Sequence, residues 1–190
     1  MANTCFTSYA VTGPEAGLKR LMRDLKDRSG VPPEGPPPEW VGHFLRRTGH
    51  DPEKELDRFG EIVGYTVRLG EDGILWFDIE SGWSRCECLE EILRKEYGVE
   101  VWFLEEELGC DVFCTNDAAR RFFPQFIAID DMDGEGLDYY DEADARAKLR
   151  ELFGDSSGID YDNDSLEELA DAVFRQEERE VSMHIAQTDI

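Results

Sequence analysis

No apolar run in the chain approaches the ~20 residues that a membrane-spanning helix needs, so no helical span is expected. The first residues, MANTCFTSYAV, lack a basic segment followed by an apolar one, which argues against a secretion signal and for the cytoplasm. Histidine is scarce: His43, His50 and His184 are scattered, and none sits beside Ser or Cys in a nucleophile motif. There is no glycine-rich phosphate loop, since Gly13, Gly17 and Gly70 read as punctuation. Five cysteines are odd in number and too sparse for a disulfide scaffold, so reduced thiols are expected. Internal repeats are absent. These absences leave no reaction to assign and make a non-enzymatic role the expectation, with a small enzyme of unknown chemistry as an alternative.

Positive charge is the largest deficit. The 190 residues hold 20 Lys and Arg against 44 Asp and Glu, a net charge of −24. Residues 1–60 are neutral overall, with nine of each sign, whereas residues 130–190 carry five basic and twenty acidic residues. Such a field repels nucleic acid and anionic membranes and attracts cations or basic protein surfaces, so neither direct nucleic-acid nor membrane binding is expected.

What is present is a legible order of elements. Residues 3–11 alternate as a strand, and Pro14-Glu15 opens a helix with the stripe Leu18, Leu21, Met22, Leu25, ended by Ser29-Gly30. VPPEGPPP at 31–38 holds five prolines in eight residues and reads as an extended connector. It leads to one or two short helices over 40–59, an insertion spanning 31–60. Strands follow at 61–69 and 74–79, joined by the turn 70–73. Ser84 and Glu87 have capping-box spacing, which predicts a helix from Ser84 to Gly98 with Leu89, Ile92, Leu93 and Tyr97 inward. Strands at 99–104 and 110–115 flank a turn at Leu108-Gly109, which would leave Glu105, Glu106 and Glu107 facing solvent at a hairpin tip. A strand over 121–129 contains Pro124, which confines it to an edge or splits it. Helices at 144–153 and from Ser165 (capping box with Glu168) are separated by acidic loops, and 181–190 adds a short strand or frays.

The order strand, helix, strand, strand, helix, strand predicts an α+β fold, a ferredoxin-like split βαβ sandwich with an antiparallel sheet and both helices on one face. The domain reading is residues 1–130 for that fold, then an acidic helical extension over 131–190, packed on the same domain. Asn3-Thr4-Cys5-Phe6, Val11-Thr12-Gly13, Trp83, and Glu105 to Phe113 (EEELGCDVF) together resemble the YubB-like or Api-type ferredoxin-like domains carried on plasmids, phages and other mobile elements. The resemblance covers about residues 1–130. It implies a fold and a mobile-element origin, with no catalytic residues to transfer.

Two groups of side chains are candidate sites. The acidic interaction surface is Asp138, Asp141, Glu142, Asp160, Asp162, Asp164, Glu167 and Glu168, expected to face a basic partner such as a nucleic-acid-binding enzyme, whose Lys/Arg groove it would occupy as an inhibitor. The basic first helix, with Lys19, Arg20 and Arg23, is expected to matter little to that contact. Alternatively, Asp131, Asp133, Glu135 and Glu142 fall at positions 1, 3, 5 and 12 of a calcium-loop spacing, with Gly136 at 6, and would hold Ca²⁺ in a divalent-cation module. Against that loop stand Asp138 at its usually apolar position and the strand-like segment before it. Cys86-x-Cys88 and Cys110-x-x-x-Cys114 supply four thiols, but the first pair points two ways from a helix, so buried small hydrophobes are the expectation. Oligomeric state is not readable from the chain.

Overall fold

The computed structural model describes residues 3–188 apart from 111, 133, 135, 156 and 177–179, and the chain divides into two compact units, Met1–Val112 and Phe113–Ile190. It is an α+β protein with six helices among the described residues. The division at Val112 places residues 113–130 in the second unit, not with the first domain as the sequence reading has it.

Unit 1 contains β1 (Thr4–Thr12), α1 (Glu15–Lys26), α2 (Val41–Arg47), α3 (Pro52–Glu55), β2 (Gly60–Ile62), β3 (Arg68–Leu69), β4 (Leu75–Gly82), α4 (Cys88–Tyr97) and β5 (Glu100–Glu107). Its strands run in the order β5-β1-β4-β2, antiparallel at every junction, with β3 also on β4. Alternation along β1 buries Cys5, Thr7, Tyr9 and Val11, and their cross-strand neighbours Leu75, Phe77, Ile79, Val101, Phe103 and Glu105 are buried with them. Tyr9 and Phe77 stack with ring centroids 4.8 Å apart. Helix α4 reaches this face through Tyr9, whose hydroxyl donates to Glu90 at 3.2 Å. Helix α1 lies against α4: Tyr97 donates to Asp24 at 3.0 Å, and a Cβ on Gly17 would stand 2.5 Å from the Tyr97 carbonyl oxygen, so only glycine permits that approach.

Three local expectations change here. The strand read over 61–69 breaks into β2 and β3, because Val63–Thr66 forms a turn and the Thr66 hydroxyl, not a strand carbonyl, accepts the Asp78 amide at 2.9 Å. The Ser84–Glu87 capping box does not form, and α4 begins at Cys88. Ser84 is instead held outside the helix by Ser81, which donates to its carbonyl at 2.7 Å, and by Arg58, which donates to its hydroxyl; the next amide, Arg85 N–H, donates to Glu105. Glu105 to Glu107 continue β5 and are not a hairpin tip. The helix stop is as read, with Gly98 at φ 65° closing α4 by a bond to the Arg94 carbonyl.

Unit 2 contains β7 (Ile127–Asp131), β8 (Gly136–Tyr140), α5 (Glu142–Phe153), α6 (Leu166–Phe174) and β9 (Val181–Ile185), with β7 central in an antiparallel sheet ordered β8-β7-β9. Short strands β6 (Val112–Thr115) and β10 (Gln187–Thr188) pair in parallel at Cys114 and Thr115. The expected helical extension is therefore part of an α+β unit with its own core: Ile127, Ile129, Ala145, Leu149, Leu169, Val173 and Val181 are buried together. The strand expected from 121 starts only at Ile127. Pro124 lacks an amide to donate, and the buried Asp117 carboxylate takes the Phe122 and Phe123 amides at 2.6 and 3.1 Å, drawing 117–123 into a loop. The Ser165–Glu168 capping box is complete in both directions.

Candidate functional site

The acidic residues of unit 2 do two different jobs. Asp141 caps α5 by accepting the Asp144 amide at 2.9 Å, and Glu168 closes the box at Ser165. Asp160 accepts from the Asn163 side chain at 3.0 Å and organises the loop before α6. Glu142 pairs with Arg146 at 2.7 Å and Asp162 with Arg150 at 2.9 Å. Five of the eight carboxylates expected to face a partner are thus partly spent on the fold of unit 2. Asp138 is exposed and accepts only the amide of its neighbour Tyr139; Asp164 is half-buried; Glu167 is exposed and meets no donor among the described residues. Two further exposed carboxylates, Asp144 on α5 and Asp171 on α6, also have no side-chain partner among the described residues, and they are missing from the sequence reading. Asp138, Asp144, Glu167 and Asp171 are the freest charges of this surface.

The calcium-loop spacing begins at the end of a strand and ends at the first residue of a helix. Asp131 is buried at the end of β7 opposite Gly136, and Tyr140 stands opposite Ile127, so the span is a β-hairpin. Tyr140 lies about 13 Å along the hairpin from the Asp131–Gly136 pair, at ~3.3 Å per strand residue, and Glu142 opens α5 beyond it. Asp133 and Glu135 lie outside the described residues. Among the described residues no group of three His, Cys, Asp or Glu side chains converges as a metal site. Millimolar Ca²⁺ is accordingly expected to leave the melting temperature no higher than equimolar Mg²⁺ does. A calcium-specific rise abolished by Glu142→Gln would restore the cation site, because a ligand that binds only the folded state stabilises it by mass action.

Cys86 and Cys88 belong to the turn and first residue of α4, and Cys114 lies on β6; the side chain of Cys110 is outside the description. Burial pushes the Cys5 and Cys86 thiols up to about 12, which keeps both as thiols and makes them poor nucleophiles or metal ligands. His43 is buried against the Pro36 carbonyl, and His50 meets Glu55 at 2.7 Å. His184 does meet a hydroxyl: its Nε2 lies 3.2 Å from Ser182 Oγ, because alternate residues of β9 share a face. The sequence reading missed that pair.

It also missed a buried ionic cluster on the helix-covered face of unit 1. Glu105, 1% exposed, accepts the Arg85 amide at 2.8 Å and the Arg85 guanidinium at 2.6 Å. The Arg85 guanidinium also lies over the Phe103 ring at 4.1 Å and 3.5 Å from Glu90, which takes the Tyr9 hydroxyl. Burial raises the Glu90 carboxyl to about 7, against the opposing pull of Arg85. One guanidinium thus ties the start of α4 to β5, and a second carboxyl beside it titrates near neutrality. Its chemistry is that of a structural pin with a proton-accepting neighbour.

No protein-family model, characterised protein or solved structure matches the chain. The resemblance drawn from residues 3–6, 11–13, 83 and 105–113 accordingly rests on those residues alone.

Proposed function

We propose that this is an acidic, non-enzymatic interaction protein whose surface after residue 130 occupies a basic face of a partner protein, in the manner of an inhibitor seated where nucleic-acid phosphates would lie. The observation that carries this reading is that four carboxylates of unit 2, Asp138 on β8, Asp144 on α5, and Glu167 and Asp171 on α6, are exposed and have no side-chain cation partner among the described residues. Fixed carboxylates at such a surface can pair with the Lys and Arg side chains of a groove that otherwise receives phosphates. The order β5-β1-β4-β2 in unit 1, antiparallel throughout, with helices between β1 and β2 and between β4 and β5, supports a ferredoxin-like reading of that unit.

The test uses the full chain, because the structure assigns cap and pairing roles to several of the acidic residues. A basic DNA-binding protein carrying a fluorescein-labelled duplex serves as the probe. The chain is expected to displace the duplex at low salt and to lose at least tenfold in apparent affinity between 50 and 300 mM NaCl, since exposed charges are screened over ~8 Å at physiological ionic strength. Displacement indifferent to salt would remove the acidic surface as its cause.

A further inference from the structure

The face of the unit 1 sheet opposite α4 carries a pocket of about 290 Å³, lined by Asn3, Thr4, Phe59, Glu61, Glu80 and Gly82 together with Ser81. Cross-strand register builds it: Gly82 lies opposite Thr4, and its amide donates to the Phe59 carbonyl, so two small residues form a hollow beside an aromatic wall. In the next row Glu61 stands directly opposite Glu80, and Glu80 directly opposite Phe6. Phe6 and Phe59 are about half exposed, at 47% and 49%. Phe59 stacks on Trp40 with centroids 6.4 Å apart, and Trp40 bridges to Glu61.

Two carboxylates facing each other across a strand pair repel, and natural sheets usually place an opposite charge there. Here neither Glu61 nor Glu80 has a cation or a hydrogen-bond donor among the described residues. The Arg58 guanidinium, which donates to the Gly82 carbonyl at 3.4 Å, pairs with Asp57. The pocket therefore combines two carboxylates that have no cation partner among the described residues with one aromatic ring, that of Phe59.

We propose that this pocket receives an arginine side chain of the basic partner. A guanidinium fits it better than an ammonium. Its planar fork can donate to both carboxylates at once, its face stacks on Phe59, and its weaker hydration makes the transfer from water less costly. The inference rests on the partner being basic, as proposed above, but it places a specific contact in unit 1, away from the carboxylates of unit 2.

The probe is the blocked tripeptide acetyl-Gly-Arg-Gly-amide, titrated into ¹⁵N-labelled full-length protein, beside the isosteric but uncharged citrulline peptide and the lysine peptide. The arginine peptide is expected to shift the amides of Asn3, Thr4, Glu61 and 80–82, the lysine peptide to bind several-fold more weakly, and the citrulline peptide to shift none of them. Glu61→Gln with Glu80→Gln should weaken binding at least tenfold while raising thermal stability, because it relieves the facing charges; a folding defect would move stability the other way. Gly82→Leu should block the pocket without strain, since a Cβ there meets nothing within 4 Å. Neutralising Asp138, Asp144, Glu167 and Asp171 should leave the peptide shifts unchanged, which separates this site from the unit 2 surface. Equal binding of the citrulline peptide, undiminished binding to the double Gln variant, or no shift at these amides overturns the assignment.

Discussion

Replacing Glu105 by alanine is expected to destabilise unit 1 by ~3–5 kcal/mol, the loss typical when one partner of a buried ion pair is removed and the other is left without its charge. Glu105 is 1% exposed and accepts two bonds from Arg85, so the substitution strands a guanidinium whose other carboxylate, Glu90, is itself raised to about 7. The second consequence is local: the start of α4 loses the bond that fixes the Arg85 amide. Pairing Glu105→Leu with Arg85→Met should recover most of the loss, because well-packed hydrophobes often replace a buried ion pair at no net cost. Urea denaturation followed by tryptophan fluorescence reads this in unit 1, where all four tryptophans lie. A loss below about 1 kcal/mol for Glu105→Ala, on the scale of an exposed pair, would contradict the pin.

The same cluster predicts a pH dependence of defined sign. In the unfolded chain the Glu90 carboxyl titrates near its ordinary 4.5, while burial in the fold holds it at about 7. The folded state therefore binds the extra proton between these values, and stability falls as pH rises from about 4.5 to 7, then stays level with respect to this group. At ~1.4 kcal/mol per pH unit the full span is roughly 3 kcal/mol. Glu90→Gln, which mimics the protonated form and still accepts from Tyr9, should match the wild type near pH 4.5 and exceed it in stability by about 1–3 kcal/mol at pH 8. Taking the difference between the two proteins cancels the other carboxylates. A difference that stays constant from pH 4.5 to 8 would mean that Glu90 is charged throughout.

These two residues show why part of the molecule was legible in the sequence and part was not. Gly98 and the Ser165–Glu168 box are legible in the sequence because their signals act within one turn of helix. The Ser84–Glu87 spacing carried the same signal and failed, because Arg58 and Glu105, far away in the chain, take the groups a cap would use. Glu105 looks like one of three equivalent glutamates, and only its register opposite Thr7 turns it inward while Glu106 faces the other side. The Glu61–Glu80 pair is likewise created by β2 aligning on β4. Acidity after residue 130 was plain from composition, but which carboxylates are free and which cap or pair depends on where α5 and α6 begin.

The most direct measurement for the acidic surface compares two full-length variants with the same net charge. One neutralises Asp138, Asp144, Glu167 and Asp171; the other neutralises the exposed Glu34, Glu71, Glu91 and Glu100 of unit 1. Both are titrated against the basic DNA-binding probe at one salt concentration. The first variant is expected to lose at least tenfold in displacement of the duplex and the second less than twofold. Equal losses would mean that the chain acts as a diffuse polyanion, and the interaction surface after residue 130 would be refuted.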